Sequence, residues 1–306
     1  MYIYGGRVTD WHNRKFAGIH VRANFTEKTR MGFRVNTNIA AIQSQTALKK
    51  AGREIDESST KMSSGEKITK AADDAAGLAI SEKIKSEVRS SRQANRNAND
   101  GVSLIQVAEG GLNESSSILT RMRELAIQAA TDTMDDVNRA NSNGEYQAMK
   151  AELERIAQVT EFNGRKLLNG SSEKLTFQVG TGDNSSDDHV GVDPGQINAT
   201  TQSLGVTGAS INSKESARMG LGKLDSAINK ISGYRSILGS IQNRLVSSSN
   251  NLSVYTENMA AANSRIRDTD YATESGNHAK GSILREAGTA VMAQANTSGN
   301  VALKLL

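Results

Sequence analysis

The sequence predicts a mainly α protein: long antiparallel helical rods packed as a coiled-coil-like bundle, carrying one small β-hairpin insert. Two long stretches repeat apolar residues at steps of three and four, as a single buried helix face requires. A turn-rich segment holding the only proline, Pro194, separates them. Composition supplies the third observation: Trp 1, Tyr 6 and Phe 5 among 306 residues, with no Cys, leave few of the large rigid side chains that build compact cores and small-molecule pockets. An enzyme organised around a large pocket is disfavoured, and no cofactor is implied. The lack of Cys excludes a disulfide framework, thiolate catalysis, thiolate-bound zinc and iron-sulfur clusters. No run of 18 apolar residues occurs, so no membrane insertion is expected, and no stretch near the start resembles a cleavable secretory signal. The protein either stays in the cytoplasm or leaves by another route.

The first thirty residues are compositionally foreign to the rest. They hold Arg7, Arg14, Lys15, Arg22, Lys28 and Arg30 against Asp10 and Glu27, which accounts for the whole net charge of +4. Tyr2, Tyr4, Trp11, Phe16 and Phe25 lie there too. A basic arm with interleaved aromatics is one way to bind nucleic acid. Without periodicity or motif it reads instead as an extra leader, either a disordered tail or a start placed upstream of Met31, and no nucleic-acid partner is expected.

Residues 36–62 and 279–306 read as weak helices. Ala, Ser, Asn and Gln dilute Ile39, Ile42, Leu48, Ile55 and Met62 in the first, and Ile283, Leu284, Val291, Met292 and Leu303 in the second. Such helices bury too little alone to offset the entropy of ordering them. They are expected to stay mobile in the free chain and to order when copies pack side by side.

The first rod begins after Asp73-Asp74, two carboxylates whose place before a helix suits capping and subunit contacts better than acid-base work. From Ile84 to Ala129 fourteen positions follow at steps of three or four, and only Ser91, Asn95 and Ser115 among them are polar. Ile84, Val88, Val102, Ile105, Leu112, Leu119 and Met122 are its core candidates. Gly101, Gly110 and Gly111 each cost about 1 kcal/mol against Ala inside a helix, which predicts either a bend or a closely approaching partner. A shorter helix around Met149, Leu153 and Ile156 supplies a third wall. Residues 171–213 follow, with 25 Gly, Ser, Thr, Asn or Asp among 43. Within them Leu175–Val179 alternates with period two and Val190–Val192 resumes after a loop, which predicts the hairpin. The insert has no room for a large outer domain.

The second rod runs from Ala217 to Ile266 through Leu221, Leu224, Ile228, Ile231, Leu238, Ile241, Leu245, Leu252, Met259 and Ile266, with Ser248 the one polar member of its stripe. At 1.5 Å per residue it would be roughly 75 Å long. Two such rods bury their stripes against each other about 20° from antiparallel, and sparse apolar residues elsewhere predict an elongated molecule.

Motifs for chemistry are missing. His12, His20, His189 and His278 are scattered without the HExxH spacing that puts two imidazoles on one helix face, and His189 beside Asp187 and Asp188 reads as a solvated loop rather than a metal site. Neither a GxSxG elbow nor a phosphate-cradling GxxxxGK[ST] loop occurs.

Seven segments, in order, resemble those of bacterial flagellins. Met31-Gly32-Phe33-Arg34-Val35-Asn36-Thr37-Asn38 resembles the family's start; Met62-Ser63-Ser64-Gly65, with Ala72-Asp73-Asp74-Ala75-Ala76-Gly77-Leu78-Ala79-Ile80, resembles the next signature. Arg96-Asn97-Ala98-Asn99-Asp100-Gly101, Arg121-Met122-Arg123-Glu124-Leu125-Ala126-Ile127-Gln128 and Glu161-Phe162-Asn163-Gly164 follow. The C-terminal half adds the runs Ser264–Glu274 and Ile283–Asn296. The match covers roughly residues 31–170 and 214–306. Hook-filament junction proteins share the terminal helices but match the internal segments poorly, which favours the filament protein.

This resemblance implies a structural, non-enzymatic subunit. It would be exported unfolded through the flagellar type III apparatus with an export chaperone and would polymerise beneath a cap protein on a filament joined to the hook by junction proteins. It implies an inner terminal-helix domain (31–71 and 267–306), a rod domain (72–170 and 214–266) and the variable insert (171–213). The inner tube would be assembled through Ile39, Ile42, Leu48, Ile55, Met62, Ile283, Leu284, Val291, Met292 and Leu303. Some relatives carry a protease in the insert; the missing HExxH argues against one here. In several flagellins the stretch matching Arg121 to Gln128, with a glutamate on the short helix, contacts a flagellin-sensing Toll-like receptor, so Arg121, Leu125 and Glu145 become candidates. The family chain would start at Met31, and so short an insert should give a thin, smooth filament.

Overall fold

The computed structural model describes residues 37–184 and 186–303, with side chains as far as Thr297. The leader reading and the side chain of Leu303 therefore lie outside the described residues. The chain divides into two compact units, one formed by residues up to Asp56 and from Asn277, the other by Glu57–Gly276. Six α-helices are described: α1 (Ile39–Ser64), α2 (Ala75–Ala129), α3 (Asp136–Val159), α4 (Thr201–Leu204), α5 (Lys214–Arg267) and α6 (Tyr271–Leu303). Four short strands lie between α3 and α4: β1 (Glu161–Phe162), β2 (Arg165–Lys166), β3 (Leu175–Gln178) and β4 (His189–Val192). The fold class is the mainly helical one that the periodicity predicts.

In the larger unit the rods α2 and α5, 55 and 54 residues long, run antiparallel. Their pairings descend one helix as they climb the other. The Tyr255 hydroxyl donates to Glu87, Asn95 donates to the Ser249 carbonyl, Arg235 pairs with Glu109, and Arg123 with Asp225. Local sequence fixes the rod ends. Asp74 accepts the Gly77 N–H as the N-cap of α2, and Ser213 and Ser216 form a reciprocal capping box on α5. At the far end of α2 the buried Arg139 donates to the carbonyls of Ala129 and Met134, at 3.0 and 2.9 Å. It thus satisfies acceptors that a helix end otherwise leaves open.

Burial along the stripe is graded. Ile105, Leu112, Leu119, Met122, Leu224, Ile231, Leu238 and Leu245 are buried, while Val102, Leu221, Ile228 and Ile241 are partly buried against them. Ile84, Val88, Leu252, Met259 and Ile266 stay half-buried. The gradient follows the third layer. Over the buried stretch α3 lays Leu153, Ile156 and Tyr146 on the rods, with Met149 partly buried beside them. Toward Ile84 no third helix lies on the rods among the described residues, and two helices alone cannot enclose the residues of their seam.

The insert is more deeply built than its turn-rich composition suggests. β3 and β4 pair antiparallel from Leu175↔Val192 to Gln178↔His189, close to the predicted strands. The polar side chains of α3 then stitch the following segment down: Glu154 accepts both the N–H and the hydroxyl of Thr201 at 2.8 Å, Asn143 accepts the Ile211 N–H, and Gln147 donates to the Ala209 carbonyl. Val190, Val192, Ile197, Leu204 and Ile211 are buried as a result. A second ladder, β1 with β2, was not expected. Its turn is Asn163-Gly164, both with positive φ (50° and 76°), the dipeptide that suits a two-residue hairpin turn.

α2 continues unbroken through all three glycines. Gly101 and Gly111 take the close-approach alternative. A Cβ at Gly101 would lie 3.0 Å from Leu245 Cδ1 and 3.2 Å from Phe177 Cγ; one at Gly111 would lie 2.8 Å from both Leu168 Cδ1 and Thr160 Oγ1. Gly110 meets nothing within 4 Å. Gly110→Ala should therefore raise the free energy of unfolding by about 1 kcal/mol, and its neighbour Gly111→Ala should lower it; urea unfolding followed by circular dichroism reads both.

Candidate functional site

The smaller unit pairs the first part of α1 with most of α6 through a seam of small residues. Gly281, Gly288 and Ala295, spaced by sevens, face α1. A Cβ at Gly281 would lie 2.8 Å from Ile55 Cγ1, one at Gly288 would lie 3.2 Å from Leu48 Cγ, and Asn38 donates to the Ala295 carbonyl at 2.7 Å. At about 100° per residue, Ile283 falls on the far side of α6 from this seam, while Leu284 and Val291 lie along its flank, about 40° and 60° from it. They are exposed, Ile283 at 66%, as are Ile39 and Ile42 (55%) on α1. Ile55 is buried and Leu48 and Met292 are half-buried; Met62, also half-buried, belongs to the larger unit. The pair thus closes its seam with α6 glycines against Ile55 and Leu48 of α1, and leaves large apolar side chains exposed on the far side and flank of α6.

Within the larger unit the breaks between α1 and α2 and between α5 and α6 are joined. Lys67 N–H donates to the Arg267 carbonyl at 2.6 Å and Thr269 N–H to the Gly65 carbonyl at 3.0 Å. The Arg267 guanidinium ties the same place: Nη2 donates to Glu66 Oε2 at 3.0 Å, Nε lies 2.9 Å from Glu66 Oε1, and Nη1 pairs with Glu82. Asp73 accepts the N–H groups of Thr69 and Lys70 and the Thr69 hydroxyl. Those bonds, the Lys70 N–H first, hold its carboxyl below the usual range. The Arg267 hydrogen bond does the same for Glu82. Asp73 and Asp74 thus serve turn and cap.

Arg121, Leu125 and Glu145 are brought together, in unlike states. Arg121 is exposed and pairs with Glu145 and Glu124, both at 3.0 Å. Leu125, 2% exposed, is part of the core. Its side chain is turned inward, so a direct receptor contact would rest on the two charged residues. His189 lies on β4 and His278 on α6, and among the described residues no three His, Cys, Asp or Glu side chains gather to hold a metal ion. None of the described helices is long and apolar enough to cross a membrane.

Paired long rods, a small insert and terminal helices with exposed apolar side chains fit the comparisons with known proteins. The bacterial flagellin N-terminal helical region matches residues 35–173, and the flagellin C-terminal helical region matches residues 221–306. A flagellin of Halalkalibacterium halodurans is 41% identical over 246 residues, 80% of this chain and 89% of its own. The chain belongs to the flagellin family. A Bacillus subtilis flagellin is 39% identical over 302 residues, 89% of this chain and 99% of its own. A solved Bacillus cereus flagellin covers 55% of this chain and 94% of its own length, at 33% identity and a TM-score of 0.46. Flagellins are structural proteins of the filament and not enzymes, which agrees with a site made of surfaces rather than of reacting groups.

Sequence reasoning missed Arg139 and Arg267, because a lone arginine on a helix carries no spacing signal. The Gly281, Gly288, Ala295 heptad was legible and passed unread among diluting small residues. Acid sensitivity follows from the carboxylates at the junction. Asp73 and Glu82 have folded pKa values below their ordinary 3.8 and 4.5, so the unfolded chain binds more protons as the pH falls. Their contribution is complete above those ordinary values and is lost as the pH drops through the lower folded ones. Thermal melts of monomer should fall more steeply below the ordinary carboxylate range for the native chain than for Glu82→Gln or Asp73→Asn.

Proposed function

We propose that this flagellin is the structural subunit of an extracellular bacterial flagellar filament that serves motility, built by self-assembly of identical copies after export in an unfolded state. The observation that carries the reading is the apolar surface that the paired terminal helices leave exposed, Ile283, Leu284 and Val291 on α6 with Ile39 and Ile42 on α1. A surface of that kind is closed by a second copy. In this reading residues 31–71 and 267–306 form the inner tube, 72–170 and 214–266 the surrounding rod layer, and 171–213 a short insert that leaves the filament thin and smooth. The hook-filament junction proteins, the filament cap, the export chaperone and the type III export apparatus are the partners that family resemblance brings.

The flagellin-sensing Toll-like receptor is a further partner of the same kind. Exposure of the Arg121–Glu145 pair favours a contact through those charges, with Leu125 acting from beneath by packing. In a receptor reporter assay Arg121→Asp should cut signalling at least about tenfold, the loss typical of a broken interfacial charge contact; an unchanged response removes the receptor from the list of partners.

Seeded polymerisation watched by electron microscopy tests the filament reading. The native chain should elongate seeds into helical filaments. Ile283→Asp and Ile42→Asp should abolish elongation while the larger unit keeps its helicity, because each puts a charge into the face that a neighbour must cover. Protease should trim both ends of the monomer and spare them in filaments. Monodisperse rods under seeding conditions would count against the filament.

A further inference from the structure

The larger unit carries an open groove of about 430 Å³ between α2 and α5, lined by Arg92, Asn95, Arg96, Ser253, Thr256 and Glu257. Its cations are idle. Among the described residues Arg92 has no recorded ion pair, and Arg96 donates only to the neutral Gln93 beside it on the same helix. Arg121, Arg123, Arg235 and Arg267 on the same rods, by contrast, sit in ion pairs. Arg89, one turn away, extends the positive strip, so three guanidiniums stand near the carboxylate of Glu257, with Asp100 one turn beyond Arg96.

The same turns of α2 carry the opposite charge on their other flank. Asn97 donates to the Gln178 carbonyl at the end of β3, and Phe177 packs against Gly101, which fixes the hairpin along that flank. The connection between β3 and β4 presents Asp183 and Asp187, both exposed and, among the described residues, neither paired with a cation; Asp187 accepts from Asn184 and Ser186. At about 100° per residue, the Asn97–Gly101 side and the Arg92–Arg96 side of α2 are roughly 140° apart across its solvent face, so they lie on opposite sides of the face that packs on α5. One flank of the rod pair therefore presents carboxylates and the other a cationic groove, at the same level along α2.

We propose that the acidic hairpin turn of one copy docks into the Arg92–Arg96 groove of its lateral neighbour. The contact is heterologous: each copy uses two different patches, one on each flank, so repetition builds a closed ring or a helical tube rather than a two-fold dimer. Charge complementarity names the occupant as a second copy of this chain, and the charges set the lateral register more than they supply raw affinity. The inference rests on the filament reading and adds to it where neighbours touch outside the terminal helices.

Charge exchange tests it in the full chain. Arg92→Asp with Arg96→Asp, or Asp183→Arg with Asp187→Arg, should each raise the critical concentration for seeded elongation about tenfold. All four changes together should return it close to the native value, with monomer helicity unchanged throughout. Reversals that assemble like the native chain, or a quadruple variant no better than either pair, overturn the docking. A second measurement uses the chain's lack of Cys. Arg92→Cys with Asp187→Cys, treated with a short bismaleimide, should give a ladder of linked subunits from filaments and only monomer from unassembled protein. Filaments without a ladder overturn the contact and leave the filament reading intact. A native chain that never elongates seeds removes both.

Discussion

Two helices laid side by side cannot close around their own seam. Each contributes a stripe of apolar side chains, and the contact line covers the middle of that stripe while its edges face solvent. The rest of the structure answers this geometry in different ways along its length. Where α3 and the insert lie on α2 and α5, a third wall completes a core in which Leu112, Leu119, Leu224 and Leu238 are sealed. Further along, from Val88 and Leu252 toward Ile84 and Ile266, the seam stays half-covered. In the smaller unit the seam is thinner, because glycines of α6 meet Leu48 and Ile55 of α1 while Ile283, Leu284 and Val291 stay exposed.

The polar side chains of the larger unit bound the core rather than build a reacting centre. Arg139 closes the end of α2, Glu154 and Asn143 fasten the segment after β4, and Arg267 with Glu66 and Glu82 joins two chain breaks. Apart from the neutral Asn143 bond these are charge-assisted hydrogen bonds, and their directionality fixes positions that a thin apolar seam would leave free to slide. The buried Tyr146 hydroxyl, like that of Ser91, has no hydrogen-bond partner among the described residues, and burial pushes the Tyr146 pKa up to about 12. Its ring supplies volume where α3 meets the rods, at the expense of one unsatisfied polar atom.

Much of this was legible in the residues. The rods announce themselves because a step of three or four, sustained over fifty residues, has one geometric reading. The main hairpin is visible in the alternation of Leu175–Val179. Segments with mixed signals were harder. The stretch from Asn198 to Ser213 looks like loop by composition, and its buried Leu204, Val206 and Ile211 become core only through hydrogen bonds to α3 that no local pattern encodes. Asn163-Gly164 carried its turn signal openly and was read only as part of a family signature. Leu125 shows the opposite difficulty. A position singled out by resemblance as a contact obeys the rod's own period and turns inward, since burial of a leucine outweighs any call on its surface.

The thin seam between α1 and α6 also bears on how the molecule comes apart. Gly281 and Gly288 bury little area against Ile55 and Leu48, so the helix pair has a low local free energy of opening compared with the three-walled core. Melting would begin at the termini and leave the rods for last. If the polypeptide is drawn out into a strand before transit, as proposed above, this helix pair is the part that yields first.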